Sequence, residues 1–216
     1  MRPDNQIKKD ILDELDWDPE IDASQVGVVV KDCAVTVFGH VETYRQKIAV
    51  QDVVKRVADV HAVVNNIDVQ LASRHRMTDD GLAERISHVL EWNVSSANRD
   101  ITADVKHGVV TLSGELEWGY ERSNILRNIQ HVSGVVNVID EMTIIPRASA
   151  TDVQTRIKSA LQRHVQIEAH KIKVATTGGI VRLTGTVDSI AERERVDDAA
   201  WSAPGVSRVV NELQIA

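Results

Sequence analysis

Three glycines, Gly39, Gly114 and Gly185, each close a β-like run: AVTVFG, VVTLSG and IVRLTG. In every case Asn65, Asp140 or Asn211 follows 26 residues later, within VVNNIDV, VIDEMTI or VVNELQI. The steps between copies are 75 and then 71 residues for both markers. A fixed internal spacing joined by a variable connection means three copies of one compact unit, not one large domain. The units fall at residues 1–72, 79–145 and 151–216. Units of this size bury only about 60% of their unfolded surface, so each is expected to gain stability from its neighbours.

The periodicity inside each unit is also shared. Ile7, Ile11 and Leu15, then Leu82, Ile86 and Leu90, then Val153, Ile157 and Leu161 recur at i, i+4, i+8, one stripe of an amphipathic helix. Trp17 and Trp92 stand two residues after the last stripe position, with Arg163 in the third copy, and are expected to cap the helix end by packing. Next come two β-patterned runs around Lys31-Asp32-Cys33, Lys106-His107-Gly108 and Thr177-Gly178-Gly179, which predict antiparallel hairpins. A second helix turns Val50, Val54 and Val57 inward in the first copy, Ile125, Ile129 and Val132 in the second, and Val196, Ala200 and Ala203 in the third. The last strand follows at a distance that suits a βαβ crossover. The expected fold is α+β: three tandem α-β-β-α-β modules, each a three-stranded mixed sheet with two helices packed on it. An apolar content of 43% with only seven aromatic residues suits thin helix-on-sheet cores and not a base-stacking surface.

These motifs together resemble the BON domain family, named for bacterial osmotically inducible and nodulation proteins. Its V-x-L-x-G-x-V pattern is matched by Val35–Val41, Val110–Leu116 and Val181–Val187, and its G-V-x-x-V-x-N-x-L pattern by Gly134–Met142 and Gly205–Leu213. The first copy has Asp59 where the family has Gly, and the second has Asp140 where it has Asn. The resemblance implies a non-catalytic, stress-associated binding or scaffold protein whose modules contact phospholipid surfaces or protein partners. Potassium binding, known for some relatives, is the alternative it implies.

No catalytic constellation stands out. The eight histidines share no place in the repeat and form no zinc-ligand pattern. The acidic run from Asp13 to Asp22 fails as a calcium loop, since its sixth and twelfth places, counted from Asp16, are Ile21 and Gly27. Cys33 is the single cysteine, placed in a hairpin turn and expected to be a surface thiol, so no internal disulfide forms. Neither a cofactor nor a metal is expected.

Net charge is −7, which argues against general nucleic-acid binding. The charge divides unevenly, −5 over residues 1–72, −3 over 73–147 and +1 over 148–216. The third module is therefore the one suited to an anionic surface, through Lys171, Lys173 and Arg182. A basic residue also repeats eight places after each glycine, at Lys47, Arg122 and Arg193, and is a candidate headgroup or partner contact. Glu42, Glu117 and Asp188 sit near the start of the same helix, where the helix dipole favours an acid. The Asn/Asp set is expected to bond local backbone. The N-terminal segment has no apolar core of a secretory signal and no run of about 18 apolar residues occurs, so a cytoplasmic location is expected.

Overall fold

The computed structural model describes residues 2–93, 101–116, 118–145, 172–177, 179–203, 206 and 208–215. Within these the elements run α1 (Asp4–Trp17), β1 (Val26–Lys31), β2 (Ala34–Val41), α2 (Tyr44–Arg56) and β3 (Ala62–Val69) in the first module. The second holds α3 (Asp79–Asn93), β4 (Thr102–Lys106), β5 (Val109–Leu116), α4 (Gly119–Ile129) and β6 (Asn137–Ile144). The third shows β7 (Ile172–Thr177), β8 (Ile180–Val187), α5 (Ile190–Trp201) and β9 (Arg208–Ile215). The predicted helix over Val153, Ile157 and Leu161 lies outside the described residues.

Each module builds the same three-stranded mixed sheet. Its middle strand pairs antiparallel with the hairpin partner and parallel with the strand beyond the second helix. The parallel register repeats from copy to copy: Val37 faces Asn65, Leu112 faces Asp140 and Leu183 faces Asn211. Alternate side chains of the middle strand, Val35 and Val37, Val110 and Leu112, Val181 and Leu183, are buried under the helices. Ile7, Ile11 and Leu15 of α1 close over the first sheet, and Leu82, Ile86 and Leu90 of α3 over the second. The other face of every sheet is open, giving two layers.

The hairpin turns explain themselves locally. Asp32 and Cys33 take φ values of 51° and 61°, and His107 and Gly108 take 52° and 75°. Two consecutive left-handed residues make a type I′ turn, whose twist matches that of paired strands. The start of the first helix clamps each turn. The Asp4 carboxylate accepts from the Asp32 and Cys33 amides at 2.9 and 3.2 Å, and the Asp79 carboxylate from the His107 and Gly108 amides at 2.8 and 3.0 Å. These bonds hold the Asp79 carboxyl below its ordinary value. The clamp corrects one expectation. Cys33 is not a surface thiol but a core residue, 2% exposed, because the left-handed turn folds it beneath the end of α1.

A second correction concerns Trp17, which is 86% exposed and caps nothing. Two residues beyond Leu15 is about 200° around a helix, so its side chain leaves on the side opposite the buried stripe. For Trp92 only the backbone is described.

The repeat glycines are required by backbone conformation. Gly39, Gly114 and Gly185 have φ of 120°, 131° and 133°, outside the range L side chains favour. A Cβ on Gly39 would lie 2.0 Å from the Gln25 carbonyl oxygen. In the first and third modules the turn that follows is closed by a capping box or its like. Thr43 receives the Gln46 amide while the Gln46 side chain receives the Thr43 amide, and Ser189 receives the Glu192 amide while Glu192 receives the Asp188 amide. These bonds satisfy the helix start, and Glu42 turns outward to pair with Arg74.

Candidate binding surfaces

The open sheet faces carry different sets of exposed side chains in the three modules. The first sheet exposes Val29, Phe38 and Val64, at 51%, 46% and 48%. Phe38 lies across Gly27, where any Cβ would meet its ring at 2.4 Å, so the cross-strand pair is a ring over bare backbone. The second sheet presents Asp104, Glu115 and Glu141 among Thr102, Ser113 and Thr143. The third presents Lys173, Arg182 and Arg208, all exposed, with Glu212 paired to Arg182. Lys173 lies opposite Thr184, Arg182 opposite Ala175, and Arg208 opposite Ile180, so the three cations occupy successive rows of one face. Strand alternation aims them away from the core.

The base eight places after each glycine is disposed differently. Lys47, Arg122 and Arg193 are half-buried on the flank where the second helix meets the last strand. There the Asn/Asp signature makes the local bond expected of it: Asn65, Asp140 and Asn211 accept from the amides of Ile67, Met142 and Leu213 at 3.1, 3.0 and 3.2 Å. The rest of each side chain ties strand to helix. Asn65 donates to Gln51 at 3.2 Å and Asn211 to Asp197 at 3.0 Å, whereas Asp140 receives Arg122 at 2.6 Å. Arg193 borders a shallow groove with Asn211 and Asp197. Lys171 lies outside the described residues.

The acid in place of Asn is thus answered by Arg122. The acid in place of Gly is answered by an arginine too. Asp59 holds the left-handed φ of 65° that Gly134 fills in the second copy with φ of 100°, and Arg2 donates to it at 2.8 Å. Arg2 also reaches Asp10 and the Ala58 carbonyl, each at 2.6 Å. This hydrogen bond keeps the Asp59 carboxyl below the usual range.

A cleft between α2 and α5 gathers Asp52 and Lys55 from one helix with Glu194, Arg195 and Asp198 from the other. The cleft walls strip water from Asp52 and Asp198, which pushes both carboxyls up although their side chains open onto solvent. Among the described residues no group of three or more His, Cys, Asp or Glu is placed to hold a metal ion. No helix among them is long and apolar enough to cross a membrane.

The family model described as the BON domain matches residues 3–70, 78–146 and 149–216, almost the whole chain. The chain belongs to the BON domain family. Over 146 residues the chain is similar to osmotically-inducible protein Y of Escherichia coli K12, at 29% identity, covering 64% of this chain and 73% of that protein. A solved C-terminal domain of CdsD, a structural protein of the Chlamydia trachomatis type III secretion system, aligns over the full length of both chains at 17% identity and a TM-score of 0.26. The periplasmic domain of PrgH from S. typhimurium aligns over 89% of this chain and 95% of its own at 12% identity and a TM-score of 0.23. Scores this low support no inference about the BON modules.

Two structural acids escaped the sequence reading, Asp4 and Asp79. They stand 75 residues apart, the same step as the glycines, and that spacing was the available signal. Arg208 also went unread, because a base at the head of a strand has no pattern until the sheet aligns it with Lys173 and Arg182.

Proposed function

We propose that this chain is a non-enzymatic, stress-associated binding scaffold whose third BON module meets anionic phospholipid surfaces through the outer face of its sheet. The observation that carries this reading is the row of Lys173, Arg182 and Arg208 on one open face, in a chain that is otherwise acidic. The stress association rests on the likeness to osmotically-inducible protein Y. Near an anionic surface each such cation contributes about 1 kcal/mol, within a Debye length of about 8–10 Å. Three cations on a domain of an acidic chain therefore give weak, salt-sensitive attachment. The first module, at −5, opposes it. A binding face of this kind needs no nucleophile, base or cofactor.

The test is flotation of the full chain with phosphatidylglycerol-containing and purely phosphatidylcholine vesicles at low and physiological salt. Co-flotation with the anionic vesicles alone, released as salt rises, is the expected result. A chain that stays in the soluble fraction under all conditions removes the lipid reading and leaves an acidic protein partner for the same face.

A further inference from the structure

Between modules, among the described residues, the same helix position makes a contact each time. Five residues after the repeat glycine stand Tyr44, Gly119 and Ile190, the first residues of α2, α4 and α5. Tyr44 of the first module packs against the core of the second, its phenol bonded by the Val138 backbone. Burial pushes that phenol up from its ordinary value. Gly119 of the second module abuts Trp201 of the third so closely that a Cβ would lie 2.8 Å from the Trp201 side chain. Ile190 of the third is 5% exposed and belongs to the buried core of the first.

We propose that this helix start is the docking element by which one module recognises another, and that the three modules close a ring, first onto second, second onto third, third onto first. The receiving sites differ: Tyr44 is received at Val138 of β6, Gly119 at Trp201 of α5, and Ile190 in the core of the first module. Trp201 lies sixteen residues after its glycine, and so does Lys55, which meets Glu194 of α5 at 2.6 Å. Sizes differ across the seams: a bare glycine faces Trp201, whereas the bulky Ile190 enters the buried core of the first module. Head-to-tail contacts of one kind either propagate or close. Here each module uses its start once and is received once, so closure is complete within one chain. The partner this surface fits is another module of the same kind, and the short connections alone do not hold the units together.

A protease site inserted between Arg147 and Ala148 of the full chain tests this. After cleavage of the folded protein, both pieces should remain together in size-exclusion chromatography at low micromolar concentration. Ile190→Arg should release residues 148–216. Because unfolding of the third module would give the same release, the Lys55–Glu194 contact supplies an independent measure. Lys55→Glu and Glu194→Lys should each weaken reassociation of the pieces about tenfold, and the double variant should recover most of the loss. Separation of the unmutated pieces, or a double variant no tighter than the singles, overturns the proposal. Neither readout involves lipid, so failure here leaves the flotation result to be judged on its own.

Discussion

The outer faces of the first and third sheets share a backbone register and an aliphatic place, Val64 and Val210, but differ in charge. One carries Val29, Phe38 and Val64; the other carries Lys173, Arg182 and Arg208. Their helix-covered faces are nearly interchangeable, with Val35 and Val37 in one and Val181 and Leu183 in the other, all fully buried. Burial and backbone geometry leave few choices on the inner face, where a lost methyl is felt at once. The open face answers only to solubility and to whatever it meets. Differences between modules on that face therefore bear on function, and identities on the inner face bear on folding.

The largest effect expected from breaking an inner identity is at the repeat glycine. Gly39→Val places a β-branched residue at φ 120°, with its Cβ 2.0 Å from a carbonyl oxygen. A cost above about 2 kcal/mol is expected in urea unfolding, through strain and displaced backbone. An unchanged midpoint would remove the argument that the glycines mark one scaffold.

The polar tie sharpens the comparison at a smaller scale. Asp140→Asn makes the second module match its neighbours but strips Arg122 of its partner. A loss of about 1 kcal/mol or less is expected, since Arg122 is partly exposed. Restoring the family residue thus destabilises. A gain in the midpoint would show that the acid and the arginine are not coupled.

Asp59→Gly is a closer balance, relieving a left-handed residue while removing the Arg2 bond, and should fall within about 0.5 kcal/mol near neutrality. Its pH dependence is the sharper reading. The folded Asp59 carboxyl is depressed, so its stabilisation is present above the unfolded value of about 3.9 and is lost as pH falls through the lower folded value. The original protein should therefore lose ground to Asp59→Gly on acidification below about pH 4.

Asp198 has the opposite sign. Its raised carboxyl penalises folding above the folded value, and the penalty disappears below the unfolded one. Asp198→Asn should raise the midpoint at pH 7 by a few tenths of a kcal/mol, discounted for solvent exposure, and the gain should vanish below about pH 4. A gain that persists in acid would assign the effect to packing.

The fold was legible because periodicity and glycine spacing report what is buried and which backbone is forced. The stripe of α1, the inward residues of α2 and the mixed sheet follow from spacing alone. Trp17 departs from the expected packing because its angle around the helix, not its hydrophobicity, decides where the side chain goes. Cys33 was misread because a turn position suggests solvent, and the clamp from Asp4 that buries it is a contact between residues 29 apart. The docking of Tyr44, Gly119 and Ile190 had no reading in sequence, for three unlike side chains at one position show no pattern until their different neighbours are seen. The candidate cations divided in the same way. Lys173 and Arg182 emerged together on one face with Arg208, whereas Arg122 was drawn into a tie within its own module.

The most direct test sets the third sheet against the second. Lys173→Glu with Arg208→Glu reverses charge on the open face of one, and Asp104→Lys with Glu141→Lys does so on the open face of the other. Each pair is made in the full chain and followed by flotation with anionic vesicles at low salt, with urea midpoints as the control for folding. The account predicts that the first pair abolishes flotation, the second does not reduce it, and neither shifts the midpoint by more than about 0.5 kcal/mol. Flotation that survives reversal of Lys173 and Arg208, with folding intact, would contradict it.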